Sequence, residues 1–199
     1  MQTKTIIFPF LLVMLVVFIG CSDEEADEVP LAEKRINEGW SEYMAANYSD
    51  AVIRHQQALD TDPDAAEAYN GIGWALARLN RISEAVENFQ RAIAMEPSNA
   101  DAHAGLAGAY MAERDYERAI ASARAALSAQ SEYFSPHDDI GVTELRILLA
   151  KSYYNRGEYS EARAQVDLLR GANDLDPSSS TYLQDLASAI QEVSAKQIF

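Results

Sequence analysis

The chain has one cysteine, Cys21, in 199 residues, so an intramolecular disulfide is excluded. Histidine is also scarce. His55, His103 and His137 are the only three, and none stands in an H-E-x-x-H arrangement. Asp60, Asp62 and Asp64 begin like a calcium loop. That loop needs Gly at its sixth place and Glu at its twelfth, where this chain has Ala65 and Gly71. There is no Gly-rich phosphate loop and no serine elbow. The residues therefore offer no catalytic constellation and no cofactor site, and the chain reads as a non-enzyme. Basic residues are few: 16 Lys and Arg stand against 31 Asp and Glu, a net charge of −15. A phosphate backbone would be repelled, which argues against nucleic acid as a partner. The charge supports solubility and a preference for basic partners. Long apolar runs are limited to Ile6 to Ile19, broken only by Pro9. As a helix that run spans roughly 21 Å at ~1.5 Å per residue, short of the ~30 Å hydrocarbon core. With Lys4 ahead of it, residues 1–20 read as a secretory signal peptide rather than a membrane span.

Cys21 follows that run directly, in Val17-Phe18-Ile19-Gly20-Cys21. The segment resembles the lipobox of bacterial lipoproteins, with Phe18 in place of the usual leucine. The resemblance implies cleavage before Cys21, acylation of its thiol and new amino group, and a firm lipid anchor in the membrane. Ser22, with no Asp after the cysteine, implies outer-membrane sorting in a two-membrane bacterium, facing the periplasm. Residues 21–31 then read as the lipidated cysteine and a tether. Within it, residues 22–30 hold five acids and end in Pro30, a composition that does not fold alone.

Beyond the tether, small and aromatic residues recur at a fixed step. Gly39, Gly73 and Ala107 are spaced by 34, as are Ala51, Ala85 and Ala119, and Ala58, Ala92 and Ala126. Tyr48, Ile82 and Tyr116 keep the same step, as do Pro63 and Pro97. A fourth set, Ala150, Tyr159, Ala162 and Leu169, follows after a step of 43, which is 34 plus an insert of nine. Such periods mean stacked supersecondary units. Each unit reads as two helices. In the second unit they are Ala66 to Leu79 and Ile82 to Met95, with Asn80-Arg81 as the turn and Pro97 as the stop. Ile82, Ala85, Val86, Phe89, Ala92 and Ile93 form the one-sided stripe of an amphipathic helix. Gly73 faces Ala85 and lets the two backbones approach, with Phe89 and Tyr69 filling the wider gap.

Tyr69, Ile72-Gly73, Leu76, Ile82, Ala85, Phe89, Ala92 and Pro97 resemble the tetratricopeptide repeat (TPR) pattern residue by residue. The other units follow it less fully: the first has His55 where an aromatic is usual, the third has Ser131 where proline is usual, and the fourth is weak after Val166. The resemblance implies an all-α, right-handed α-solenoid of about four helix pairs over residues 32–177. Its units are 32–65, 66–99, 100–133 and 143–176, with an insert at 134–142, and residues 178–199 form a capping helix. The packing positions are Gly39, Ala51, Gly73, Ala85, Phe89, Ala92, Ala107, Ala119, Ala150 and Ala162. In the cap, Ser179 or Ser180 serves as N-cap. Tyr182, Leu186, Ile190 and Val193 form the stripe that lies on the last repeat, or alternatively meets a partner.

In this family the first helix of each unit lines a concave groove. By resemblance the groove holds Ile36, Trp40, Tyr43 and Met44, then Glu67, Asn70, Trp74 and Arg78. Asp101, Ala104, Gly108 and Met111 follow, then Glu144, Ile147, Lys151, Tyr154 and Asn155. Trp40 and Trp74 would be exposed anchors for a peptide or helix segment of another envelope protein. The other reading buries them as packing between units. Gly108, at the equivalent place in the third unit, would leave a pocket beside Trp74. Asn70, Arg78, Lys151 and Asn155 would bond the partner's backbone or acidic groups. The insert, broken by Pro136 and Gly141, either lengthens the helix before it, decorates the binding face or is a neutral loop. The expected role is a lipid-anchored envelope scaffold for other proteins. One alternative is a structural protein that associates with itself as a homo-oligomer. Another is a metal-dependent accessory role centred on the insert, with His137, Asp138 and Asp139 as ligands.

Overall fold

In each repeat unit the turn between the two helices is made by a residue in the left-handed region. A computed structural model describes residues 29–195, and in it Ala46, Asn80, Arg114 and Gly157 have φ of 61°, 59°, 60° and 80°. After each of them the next amide reaches back to a carbonyl five residues earlier, as Arg81 N does to Leu76 O at 2.9 Å. The same bond joins Asn47 to Glu42, Asp115 to Tyr110 and Glu158 to Tyr153. This six-to-one closure satisfies end carbonyls of the first helix and reverses the chain. It is built four times, with glycine at the strained place only in the fourth unit.

The helices it joins are α1 (Leu31–Met44), α2 (Tyr48–Leu59), α3 (Ala66–Arg78), α4 (Ile82–Met95), α5 (Ala100–Ala112), α6 (Tyr116–Ala129), α7 (Val142–Arg156), α8 (Tyr159–Arg170) and α9 (Tyr182–Ala195). Every helix packs on the next in sequence. The odd helices α1, α3, α5, α7 and α9 also meet one another in succession, whereas the even helices α2, α4, α6 and α8 do not. One row is close and the other splayed, so the stack curves with the odd helices on its inner side. The result is an all-α repeat solenoid with two linked cores. One is built from α1 to α6 and the other from α5 to α9, and Ile140 and Leu148 pack against both.

The small residues of the 34-residue pattern are buried at the helix crossings. Ala51, Ala85, Ala92, Ala107, Ala119, Ala150 and Ala162 have no exposed surface. The expectation for Gly73 needs a correction. Its closest neighbour is the Phe89 ring rather than Ala85: a Cβ there would lie 2.7 Å from Phe89 Cδ1. The next unit's Gly105 clears the other side of that ring. In the unit before, Gly39 and Gly71 clear the two sides of His55 in the same way. Glycine at these places makes room for a ring seated between two units, which outweighs its helix cost of ~1 kcal/mol. Where the ring is replaced by Ala123 in the third unit, the matching first-helix residue is Ala107.

On α9, Leu186, Ile190 and Val193 are buried against the stack, while Gln184, Asp185, Gln191 and Glu192 lie on the wet side. Ser179, one of the two serines expected at the N-cap, does accept from a backbone amide at the start of this helix. Ser179 Oγ accepts from Thr181 N, and Thr181 Oγ1 donates to Asp185 Oδ2 at 2.7 Å. Among the described residues no helix is long and apolar enough to cross a membrane. Residues 1–20 and Cys21, which carry the signal-peptide and lipidation expectations, lie outside the described residues.

Candidate functional site

The insert lies in the groove. α6 ends at Ala129, and the chain then folds into a short hairpin instead of lengthening the helix. Phe134 and Gly141 form an antiparallel bridge. Ser135 N donates to Ile140 O at 2.7 Å and Val142 N to Tyr133 O at 3.0 Å. The hairpin runs back across the inner side of the solenoid. Tyr133 is buried and its hydroxyl donates to Asp101 Oδ1 of α5 at 2.6 Å. At the tip, the His137 ring stacks on Trp40 of α1, with centroids 3.6 Å apart and planes 12° from parallel. Asp138 Oδ2 accepts from Tyr43 Oη at 2.8 Å and from Arg78 Nη2 at 2.6 Å. Arg78 Nε also donates to Tyr43 Oη at 3.0 Å. α1, α3 and α5 thus grip a segment of their own chain, at Tyr43 one 95 residues away in sequence.

The electrostatics of this grip are consistent. Burial, opposed by the hydrogen bond from Arg78, pushes the Tyr43 hydroxyl well above its ordinary pKa, so it stays protonated and donates to the carboxylate. Burial and the neighbouring Asp101 carboxylate push Tyr133 up likewise. Hydrogen bonding to Tyr43 holds Arg78 charged, with Asp138 adding to the effect.

Beneath the hairpin, both tryptophans are buried, at 4% and 7% exposure. The expectation of exposed anchors is corrected: Trp40 is covered by the His137 ring of the insert, and Trp74 packs edge-on against Phe89. Trp40 Nε1 donates to Glu67 Oε1 at 2.8 Å, and Trp74 Nε1 to Asp101 Oδ2 at 2.7 Å. Glu67 and Asp101 are 34 apart. Each indole therefore ties its unit to the acid at the start of the next. Asn70 is also buried. Its Nδ2 donates to Asp101 Oδ2 at 2.9 Å and its Oδ1 has no partner, so it supports the network instead of reaching for a ligand.

The remaining groove residues divide by access. Met44, Arg78 and Asn155 are exposed; Ile36, Met111, Lys151 and Tyr154 are half-buried; Tyr43 and Ile147 are buried. Asn155 Nδ2 bonds to Lys151 O on its own helix, and Tyr154 Oη donates to Leu183 O of α9. Met111 Sδ accepts from Ser152 Oγ. The pocket expected from Gly108 is present. A cleft of about 410 Å³ opens beside Trp74, bounded by Arg78, Gly105, Gly108, Ala109 and Ile140. A Cβ at Gly108 would meet nothing within 4 Å.

The metal reading of the insert does not survive the geometry. His137 faces Trp40, and Asp138 is held by Arg78 and Tyr43. Among the described residues no group of three or more His, Cys, Asp or Glu side chains is placed to share an ion. The part of the site that sequence reasoning missed is the hairpin itself. Tyr133, Phe134 and Ile140 within ten residues of expected loop were the available signal.

The model of the tetratricopeptide repeat matches residues 36–87 and 72–133. No curated protein matches the sequence closely enough to count as a relative. Several solved structures share the fold. YrrB, a TPR protein with an unusual peptide-binding site, is 19% identical with a TM-score of 0.63, over 84% of each chain. The first TPR of Spaghetti (RPAP3), bound to the HSP90 peptide SRMEEVD, is 19% identical with a TM-score of 0.57, over 64% of this chain and 94% of the other. The TPR2B domain of yeast Sti1, in complex with a pHsp70 partner, is 24% identical with a TM-score of 0.56, over 63% and 98%. The repeat, the glycine-cradled rings, the four matching turns and these likenesses agree: the chain belongs to the tetratricopeptide repeat family.

Proposed function

We propose that this protein is a lipid-anchored scaffold of the bacterial envelope that holds short segments of other proteins against its concave face. The observation that carries the reading is that this face already grips an extended segment, the tip of the insert, through Trp40, Tyr43 and Arg78. Structural neighbours with bound peptides support the same use of the fold. The role is binding rather than catalysis. His55 is enclosed in the core, His103 contacts the Pro97 carbonyl, and His137 is stacked. The anchor is proposed from Cys21 and its preceding run, with outer-membrane placement facing the periplasm from Ser22.

Gly108→Leu is the variant to use. Gly108 borders the cleft beside Trp74, and a Cβ there meets no obstacle, so the larger side chain intrudes on the cleft. Truncating a buried tryptophan would cost ~3–5 kcal/mol and confuse lost binding with lost fold. Envelope proteins captured from solubilised membranes by the wild-type chain and lost with Gly108→Leu support the scaffold. Equal capture refutes use of this face. No capture, together with concentration-dependent mass, supports the self-associating alternative. The anchor has its own test: labelled palmitate should be incorporated into the wild-type chain and not into Cys21→Ser, and an unlabelled wild-type chain would refute lipidation.

A further inference from the structure

The tip of the insert displays the chemistry that its seat accepts. A planar ring lies flat on Trp40. Next to it a carboxylate receives the hydroxyl of Tyr43 and the guanidinium of Arg78. Two residues on, Ile140 packs against both cores and borders the cleft beside Trp74 and Gly108. The charges around the seat have a direction. Glu67 Oε1 lies 3.8 Å from His137 Nε2, on the ring side, and Arg78 lies on the carboxylate side. A ring with an N–H to turn toward Glu67, followed by an acid to meet Arg78, is complementary to that order. The clasp on the tip is polar. Arg78 is half-exposed in its ion pair with Asp138, whose carboxylate also accepts from the buried Tyr43 hydroxyl, so it rests on charge-assisted hydrogen bonds at a partly enclosed carboxylate. Pro136 and Asp139 face solvent on either side of the stacked and clasped residues, and Phe134 leaves 63% of its surface exposed.

Resting on the scaffold reading, we propose that the inner face of α1 and α3 is a binding site for a ring-then-carboxylate segment of a partner protein. Residues 137–140 of this chain are its resident occupant, and a partner carrying His-Asp-x-aliphatic or a close equivalent takes the seat by displacing them. The attached segment acts as a competitor at an effective concentration on the order of millimolar. Partners that lack the carboxylate meet Arg78 and Tyr43 already satisfied by Asp138 and gain nothing by displacing it.

The test uses the full chain in detergent and a labelled synthetic peptide of residues 132–142, read by fluorescence anisotropy. In the variant His137→Ala with Asp138→Ala the ring and carboxylate places of the seat are vacated, while Ile140 stays. The peptide should bind this variant at least tenfold more tightly than wild type. Adding Arg78→Ala, or replacing the peptide's Asp138 with Asn, should weaken that binding at least tenfold. Circular dichroism establishes that each variant retains the helical fold. If the double variant does not fold, Asp138→Asn alone serves, with a smaller gain expected. Equal binding to wild type and variant overturns the proposal, as does binding that survives Arg78→Ala. No binding to a folded variant also overturns it. If envelope proteins are still captured in a Gly108-dependent way in that last case, the scaffold reading stands and only the ring–carboxylate chemistry fails. Binding of a second copy through an exchanged insert would appear as a dimer abolished by Asp138→Ala, and would overturn the assignment of the seat to a partner.

Discussion

His55→Phe should stabilise this protein, and more so in mild acid. His55 has no exposed surface, and neither ring nitrogen has a hydrogen-bond partner. Its ring meets Trp40 edge-on at 5.2 Å and sits where Phe89 sits one unit later. Burial lowers its pKa from 6.5 to about 4, with a further push from His137. The folded state therefore keeps the ring neutral while the unfolded chain protonates near 6.5. Stability from this group is complete above pH 6.5 and is lost as pH falls toward 4. With ~1.4 kcal/mol per pKa unit, the loss between pH 7.5 and pH 5 is about 2 kcal/mol. Phe removes this dependence and also relieves two unbonded buried nitrogens, each a cost of ~1–3 kcal/mol. Overpacking by the larger ring opposes part of that gain, so the net at pH 7.5 should be about 1–3 kcal/mol. Urea unfolding of both proteins at pH 7.5 and pH 5.0, followed by circular dichroism, reads both effects. The difference between variant and wild type should widen by about 2 kcal/mol at the lower pH. If the difference is the same at both pH values, His55 titrates like an exposed histidine and the argument from its enclosure is wrong.

Four further outcomes are expected. Ala46→Gly should raise stability by ~0.5–1 kcal/mol, because Ala46 holds a φ of 61° that glycine adopts without strain; Gly157→Ala should lower it by a similar amount, both read by thermal melting. Gly73→Ala should cost ~1–3 kcal/mol, since its new Cβ would lie 2.7 Å from Phe89. The cost should shrink in a Phe89→Leu background, and a double-mutant cycle without coupling would contradict the ring-seat account. Trp74→Phe keeps a ring and removes the donor to Asp101 at 2.7 Å, so chemical denaturation should show a loss of ~1.5–3 kcal/mol.

The repeat was legible because it is local and redundant. Ala51, Ala85 and Ala119 report the same crossing three times, and Asn80-Arg81 marks a turn that recurs. The cleft beside Gly108 was legible for the same reason, since a missing side chain at an aligned position leaves a gap. The burial of Trp40 and Trp74 was harder to read. Helical rotation places them toward the groove, but their acceptors, Glu67 and Asp101, each lie 27 residues on and belong to the next unit. The seat of the insert was not legible at all. Residues 134–142 break the period, and their partners Tyr43 and Arg78 are 95 and 60 residues away from Asp138. A pattern that repeats carries no information about a segment that occurs once. His55 departs from the aromatic usual at its place, yet its position on the inner face of a second helix already reads as packing, and it is buried there.

The seated rings have a mechanical consequence. His55 is gripped by Gly39 of its own unit and Gly71 of the next, and Phe89 by Gly73 and Gly105. Each works as a dowel through the joint between two neighbouring units. The third joint has no dowel, since Ala123 occupies that place, and it is also where the chain departs to form the hairpin. That joint is packed all the same, with Leu145 and Leu149 buried in one core with Ala123. The hairpin also spans it, anchored on α1, α3 and α5 at one end and continuous with α7 at Val142 at the other. A partner that lifts the hairpin from its seat would then free a strap across the joint as well as open a groove.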